Sequence, residues 1–184
     1  ANFANPKLII ENSSVQSDKF KPQFITTSIN QQLTNQISEI ANNHQSSTST
    51  FLLTCWLILL WRLTENSELI IGTGCDGRNY EELQAGLGLF AKYLPLTCGL
   101  KDGDRFSDIL QKVDKIVAEM TDWQESFTWE TALNANQKDV AAAFFPFCFE
   151  FIAVPKSYTA GEITLSLAQH YVCFERFKIK LTGV

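Results

Sequence analysis

Two histidines are the first candidates for chemistry in this chain, because an imidazole titrates near neutral pH and can act as a general acid or base. They are His44 and His170, far apart in the sequence and in different surroundings. His44 falls in a polar run typical of a solvated helix end. His170 follows an alternating stretch, with no flanking glycine-rich turn to support a general base. We therefore predict neither a catalytic histidine nor a metal site.

Nucleophiles and paired carboxylates give equally weak signals. The sequence contains no G-x-S-x-G elbow and no C-x-x-C pair. Glu81 with Glu82, and Glu125 with Glu130, are possible acid and base pairs, although exposed helix carboxylates are far commoner. Most cysteines lie in apolar or alternating runs, as small buried hydrophobes do: Cys55, Cys75, Cys98, Cys148 and Cys173. We predict no catalytic residue among these groups.

A glycine string at 72–77 matches the G-x-G-x-x-G pattern that binds the pyrophosphate of a dinucleotide. In that fold a long helix follows the glycines, and an acidic residue ends the next strand about twenty positions on. Here only a short helical stretch precedes Gly86 and Gly88, and residues 96–98 include no acidic residue. The context therefore disfavours a cofactor site.

The alternative interpretation of the string is a tight turn that leaves a buried strand. Gly77 tolerates a positive φ, and Asp76 can cap the local backbone. Arg78 is then a structural residue that pairs with Asp76 or with backbone carbonyls. We predict that Gly77 and Arg78 form a structural turn.

The elements around this turn alternate between helices and short apolar strands. Asn30 offers an N-cap to an amphipathic helix, and residues 50–63 are apolar on every face, which predicts a helix in the centre of the core. Residues 105–120 have the clearest helical periodicity, and Pro95 indicates an edge or irregular strand. Strands are predicted at 24–29, 69–71, 89–100, 144–154 and within 163–181, with Phe174, Phe177, Ile179 and Leu181 as inward residues. The pattern predicts a layered α/β fold.

Composition limits the partners of the chain. Its 184 residues suit one domain or a large lobe, with a polar linker or surface arm at 1–23 and a folded body at 24–184. A net charge of −5 gives no basic surface for nucleic acid or a membrane surface. The most apolar stretch, 51–61, is too short to span a bilayer, and no signal peptide opens the chain. We expect a cytoplasmic protein.

The order of these features resembles the C-terminal lobe of the condensation domains of nonribosomal peptide synthetases. The most specific stretch is 87–96, L-G-L-F-A-K-Y-L-P-L, which is similar to the family's Ile-Gly-x-Phe-Val-Asn-Thr-Leu-Pro-Leu. The other similar stretches are the apolar helix and strand at 51–73, Gly77-Arg78 with Glu82-Leu83, Gln124-Glu125, and the aromatic strand 147–151.

This resemblance implies a chloramphenicol-acetyltransferase-like lobe, a layered sandwich of helices on a mixed β-sheet, which faces a second lobe across a substrate tunnel. In the family, a His-His-x-x-x-Asp-Gly motif in the N-terminal lobe supports attack of the acceptor amine on the donor thioester. This chain has no His-His pair, and its beginning resembles the linker between lobes, so we expect the N-terminal lobe to be missing. The implied tunnel-lining residues are Phe90, Lys92, Tyr93, Trp123 and Gln124.

Several of these positions depart from the family pattern. Lys92 replaces the family's Asn, Tyr93 replaces its Thr and Trp123 replaces its His. Residues 141–143 are alanines where the family often has Arg-Asn-Pro. The added bulk would obstruct a substrate path, which is expected where selection for condensation has relaxed.

We therefore expect a partial condensation domain that serves as a structural platform beside an adenylation domain, with no cofactor of its own. Phosphopantetheine would be carried by a partner carrier protein. The alternative is the C-terminal half of an active domain whose histidine comes from the N-terminal lobe. A third hypothesis, a nucleotide-binding oxidoreductase, depends only on the glycine string.

Overall fold

A computed structural model describes Leu8 and residues 22–129, 144–152, 157–166 and 176–184. Within them, the strands are β1 (Ile70–Cys75), β2 (Lys92–Thr97), β3 (Phe147–Phe151), β4 (Tyr158–Ala160), β5 (Ile163–Leu165) and β6 (Ile179–Gly183). Four of them form a mixed sheet in the order β2-β1-β3-β6, in which β1 is antiparallel to β2 and parallel to β3, and β3 is parallel to β6. The other two, β4 and β5, form a separate hairpin. The predicted α/β class with a mixed sheet is confirmed.

The described part of the chain includes the helices α1 (Gln31–Asn43), α2 (Thr48–Thr64), α3 (Glu81–Gln84) and α4 (Phe106–Trp123), the last continuing into a 3₁₀ turn at Gln124–Ser126. The predicted N-cap at Asn30 is confirmed, because its side-chain oxygen accepts a hydrogen bond from the Leu33 amide at 2.8 Å. Ser47 caps α2 in the same way through the Thr50 amide, at 3.0 Å. Local sequence therefore defines where both helices begin.

The sheet has a different environment on each face. On the first face, α2 and α4 bury the alternate side chains of β1, β2 and β3. Its centre includes Leu57, Leu60, Ile71, Leu94, Leu96, Val113, Phe147 and Phe149. On the second face, a smaller cluster contains Tyr93, Phe145 and Cys148, with Ile70 and Phe177 packed against it. Successive residues of a strand point to opposite faces, so each strand contributes to both clusters.

Three sequence-based expectations need correction. Residues 24–29 form no strand but an exposed chain that leads into α1. A β-prone sequence becomes a strand only where a neighbouring strand pairs with it, and the described residues offer it none. The helix α2 is not buried all round, since Cys55 and Leu59 lie on its exposed side. The strand predicted at 89–100 is shorter, because its pairing with β1 covers only Lys92–Thr97.

Some of the expected features lie outside the described residues. They are Phe174, residues 141–143, and most of the 1–23 arm. Within that arm Leu8 is described, and it is buried as a member of the first-face core. No single described helix is long and apolar enough to span a membrane; α1 and α2 reach that length only as a pair bent by 97°.

Two glycines of the string are explained by packing on the second face. A side chain at Gly72 or Gly74 would point toward that face from the inner strand β1. A methyl carbon built on Gly72 would lie 2.6 Å from Cδ2 of Phe145, and one built on Gly74 would lie 3.2 Å from Cγ of Glu150. The G-x-G spacing is thus the two-residue period of a strand, because both glycines make room for side chains that cross β1.

Replacing Gly72 with alanine should therefore destabilise the fold. We expect Gly72→Ala to lower the free energy of unfolding by roughly 1–3 kcal/mol, the usual cost of overpacking a core. Gly99→Ala is the matched control, because the nearest atom to its added carbon is the flexible Lys112 Nζ at 4.0 Å. Urea unfolding of both variants is the measurement, and equal stability of the two would contradict this account.

Candidate functional site

The candidate site lies at the carboxyl end of β1, where the loop 76–91 leaves the strand and returns to the start of β2. The end of α4 reaches the same place, since Lys92 of β2 contacts Glu125 just after that helix. In α/β sheets the carboxyl ends of parallel strands commonly carry the ligand site. Four of the expected tunnel-lining residues lie at this end: Phe90 in the loop, Lys92 at the start of β2, Trp123 at the end of α4 and Gln124 directly after it.

The loop 76–91 is held in place by Arg78. Gly77 has a φ of 65°, which glycine adopts without strain, and the Asp76 carboxylate accepts a hydrogen bond from the Arg78 amide at 3.1 Å. The guanidinium of Arg78 donates to the carbonyl oxygens of Leu83 and, at 2.8 Å, Gly86. It also stacks on the ring of Phe90, 4.6 Å from its centroid. Through these contacts the Arg78 side chain holds the two ends of the loop together, and we call it the brace of the loop.

The tip of this loop is apolar and exposed. Leu87 is completely accessible to solvent, Leu89 is largely so, and Tyr80 is more than half exposed. Single exposed hydrophobic residues are ordinary, but three on one braced loop form a protruding apolar surface. We call Tyr80, Leu87 and Leu89 the loop tip.

Polar groups at the end of α4 pair with one another or with β2. The Lys92 ammonium lies 3.3 Å from the Glu125 carboxylate, and both side chains are about 70% buried. Gln124 is buried; its amide nitrogen donates to the Thr121 carbonyl at 3.1 Å, and its oxygen has no hydrogen-bond partner among the described residues. The Trp123 ring is partly exposed and packs at a tilt against Phe127.

Tyr93 occupies a different environment from its neighbour Lys92. It lies on the second face of the sheet, with only 4% of its surface exposed. Its hydroxyl donates to Glu150 at 3.3 Å and accepts from the Lys180 ammonium at 3.2 Å, while Lys180 and Glu150 form an ion pair at 3.0 Å. We call Tyr93, Glu150 and Lys180 the second-face triad.

The expected tunnel-lining residues therefore fall into two groups. Phe90, Lys92, Trp123 and Gln124 gather around the loop and the end of α4, whereas Tyr93 is buried in the triad. Lys92 and Tyr93 are consecutive strand residues and point to opposite faces, so they do not share one wall of the sheet. A role of any of them in lining a tunnel stays a prediction.

Sequence reasoning missed Glu150 and Lys180. Each is a single charge in an otherwise apolar strand sequence, F-C-F-E-F for β3 and I-K-L for β6. Charged residues are almost never buried without a partner, so a single charge in each of two apolar strand sequences signals that each one needs a partner, without telling which residue that partner is.

The other chemical candidates have structural surroundings. His44 caps the carboxyl end of α1, where its backbone amide donates to carbonyls of that helix, and His170 lies outside the described residues. Burial raises the pKa of the Cys75 thiol, an effect that the nearby Lys92 ammonium partly opposes. Burial likewise raises the pKa of Cys55 and of Cys98. The described part of the chain contains no cluster of side chains able to hold a metal ion.

The two carboxylate pairs considered as acid and base do not act together in this geometry. Glu81 and Glu82 are both exposed on the short helix α3, and Glu125 is engaged by Lys92. Glu130 lies outside the described residues. Cys55, expected to be a buried hydrophobe, is exposed on α2, whereas Cys98 and Cys148 are buried as expected.

Comparison with solved structures places the fold among condensation domains. The condensation domain of the Monacolin K polyketide synthase superposes with a TM-score of 0.63 at 21% identity, covering 80% of this chain and 36% of that one. The first condensation domain of the CDA synthetase gives a TM-score of 0.58 at 14% identity, covering 70% and 29%. The architecture is thus the mixed-sheet fold of that class, and this chain spans about a third of it.

Sequence comparison identifies the family. The family model "Condensation domain" matches residues 3–139. Bacitracin synthase 3 of Bacillus licheniformis is 28% identical over 73% of this chain, and tyrocidine synthase 2 of Brevibacillus parabrevis is 32% identical over 52%. The chain belongs to the condensation-domain family of nonribosomal peptide synthetases. It spans only 2% and 3% of the length of these two relatives.

The brace at Arg78 can be tested by Arg78→Lys. A lysine keeps the positive charge, but it can neither donate to both carbonyls in the same way nor stack flat on Phe90. We therefore expect the backbone amides of the loop to lose protection against hydrogen exchange. The Leu83 and Gly86 amides, which donate to carbonyls within the loop, should exchange hydrogen at least about tenfold faster, since tenfold corresponds to roughly 1.4 kcal/mol.

The matched control is Arg62→Lys. Arg62 also stacks on an aromatic ring, that of Trp61, but its ion pair with Asp102 is exposed, and such pairs contribute little. Unchanged exchange at Leu83 and Gly86 in Arg78→Lys would contradict the brace.

Proposed function

We propose that this chain is a non-catalytic lobe of a condensation domain, a structural platform that docks a neighbouring adenylation domain and carrier protein of a synthetase module. The observation that carries the proposal is that the charged side chains Arg78 and Lys92 of the candidate site, and the Tyr93 hydroxyl of the second-face triad, are all engaged by other groups of the chain. Arg78 is bonded to backbone carbonyls, Lys92 to Glu125, and Tyr93 to Glu150 and Lys180. A group that accepts or delivers a substrate proton needs an accessible site and a pKa suited to the task. These pairings favour structure over proton transfer.

The loop tip supports the docking part of the proposal. A platform must offer apolar surface to its neighbour, and Leu87 and Leu89 extend into solvent from a loop that Arg78 holds rigid. The β4–β5 hairpin adds three more exposed apolar side chains, Tyr158, Ile163 and Leu165. Isolated two-stranded hairpins are marginally stable in water, so a covering partner would also stabilise this element.

Docking can be measured directly with an adenylation domain taken from a nonribosomal peptide synthetase. The double variant Leu87→Ser/Leu89→Ser should raise the Kd of the complex by about 100-fold or more, because burying each leucine contributes roughly 1.5–3 kcal/mol. Sedimentation velocity or calorimetry at several concentrations gives the Kd.

The control for this experiment is Ile25→Ser, which removes an equally exposed apolar side chain from the segment before α1. The platform hypothesis predicts little change in Kd for that variant. No association of the unaltered chain with the adenylation domain, or equal loss in both variants, would refute docking through the loop tip.

The second candidate function is the C-terminal half of an active condensation domain that forms amide bonds between carrier-bound acyl and aminoacyl thioesters. The match of the family model to residues 3–139 favours it. The 184 residues contain no His-His pair, so the histidine would have to come from an N-terminal lobe. Phosphopantetheine on the carrier proteins would present both substrates.

Reconstitution distinguishes the two functions. The chain is combined with an N-terminal lobe of a homologous condensation domain and with loaded donor and acceptor carriers, and product is followed by mass spectrometry. The platform hypothesis predicts no product above a control in which the histidine of the added lobe is replaced by alanine. Turnover that depends on both that histidine and this chain would overturn it.

A further inference from the structure

The helix α1 buries a small residue and leaves its largest apolar side chains open to solvent. Among its thirteen residues, all of them described, only Ala41 is buried. Ser38, three residues earlier, shares a hydrogen bond with the Thr48 hydroxyl of α2 at 3.3 Å. Leu33 and Ile40, by contrast, are 46% and 44% exposed. An amphipathic helix ordinarily turns its apolar side toward the core, so α1 presents an apolar side that the described fold does not cover.

This open side borders a groove of about 650 Å³ between α1 and the start of α2. Leu33, Ile37 and Ile40 line it from α1, and Phe51 lines it from α2. The Phe51 ring is fixed in turn by Phe106, with 5.1 Å between the ring centroids. Contiguous apolar surface that stays open on a folded chain commonly marks an interaction site.

The charges on this helix favour a second copy of the same chain as the partner. Glu39 is the only charged residue in α1, although the whole chain has a net charge of −5. Two copies that repel each other elsewhere can therefore meet here with little repulsion. A basic protein would be drawn to a groove with several carboxylates, and this groove has one. Helices that lie on membranes carry Lys or Arg on their polar side, and α1 has neither.

Two-fold symmetry adds a geometric condition, because the same residues of both copies form the interface. The centre of the apolar side of α1 lies between residues 36 and 37. If two α1 helices pack antiparallel about an axis at that point, Leu33 of each copy lies opposite Ile40 of the other. Glu39 then lies opposite Thr34 of the second copy, and the two Glu39 carboxylates do not face each other. The face is therefore complementary to itself in this register.

We propose that the open side of α1 is the interface of a homodimer, in which the α1 helices of two copies pack antiparallel and bury Leu33 against Ile40 of the second copy. This inference goes beyond the platform function and does not depend on it. The dimer is weak, with a Kd on the order of 10 µM, because an interface built from one helix and its neighbouring groove belongs to the small, transient class.

Sedimentation equilibrium of the chain alone, at about 1–500 µM, brackets the expected Kd. Leu33→Glu places an unpaired carboxylate in the interface twice, so we expect the Kd to rise at least about 100-fold. Ile40→Lys should have a similar effect. The matched control is Leu59→Glu, because Leu59 is 48% exposed on α2 and lies outside the groove. Its Kd should stay within about threefold of the unaltered chain, as for other surface substitutions.

The double variant Leu33→Glu/Ile40→Lys tests the antiparallel register. In that register the new carboxylate of each copy faces the new ammonium of the other, so the Kd should return to within about tenfold of the unaltered value. Association should also become weaker at high salt, which screens such pairs. The two positions are seven residues and roughly 10 Å apart along the helix, so the new charges do not pair within one copy.

Three results would overturn the dimer. The first is a monomer at every concentration of the unaltered chain. The second is an equal loss of association in Leu59→Glu, which would mean that any added charge has this effect. The third is a double variant that associates no better than the single ones. Recovery in the double variant supports the interface even if the single variants are less stable, because a second charge does not repair a folding defect. The experiment contains no adenylation domain, so its failure is distinguishable from failure of the platform function.

Discussion

The absence of side chains at Gly72 and Gly74 is the constraint on which the second face of the sheet depends. Adjacent strands lie about 4.8 Å apart, so residues on β2 and β3 are separated by roughly twice that distance across β1. Tyr93 and Glu150 nevertheless form a hydrogen bond, which is possible because nothing stands on Gly74 between them. The same vacancy at Gly72 seats Phe145 against the strand backbone. A side chain at Gly74 would come between Glu150 and Tyr93, and a side chain at Gly72 would displace the fully buried ring of Phe145.

The glycine string therefore performs two structural tasks in succession. Within β1, the two-residue spacing of Gly72 and Gly74 places both on one face. Three residues further on, Gly77 takes a positive φ and starts the loop that Arg78 braces. A dinucleotide fingerprint uses the same spacing for a different reason, to bring a helix N-terminus to a phosphate. Here the helix directly after the string is the four-residue α3, which is too short to reproduce the long helix of that fold.

Local features of this protein were predictable from sequence, and contacts between distant elements were not. The cap at Asn30, the helix α4 and the edge position of the strand with Pro95 follow from side-chain chemistry within a few residues. Residues 24–29 have strand propensity but no neighbour to pair with among the described residues. Which side of α2 is exposed likewise depends on the elements that pack against the helix, and the sequence of the helix alone does not show them. The triad joins residues 57 and 30 positions apart in the chain, and no pattern in one strand reports its partner in another.

The two ion pairs near the candidate site differ in what they can do for the fold. Lys92 and Glu125 are about 30% exposed and screened by water, so their pair contributes modestly and chiefly orients the end of α4 against β2. Glu150 and Lys180 are far less exposed, and their charges remain tolerable only while both partners and the Tyr93 hydroxyl are present. A titratable side chain that moves protons during turnover must change its charge, and a change of charge in this triad would leave its partner buried and unpaired. The triad is for that reason suited to holding β2, β3 and β6 in register.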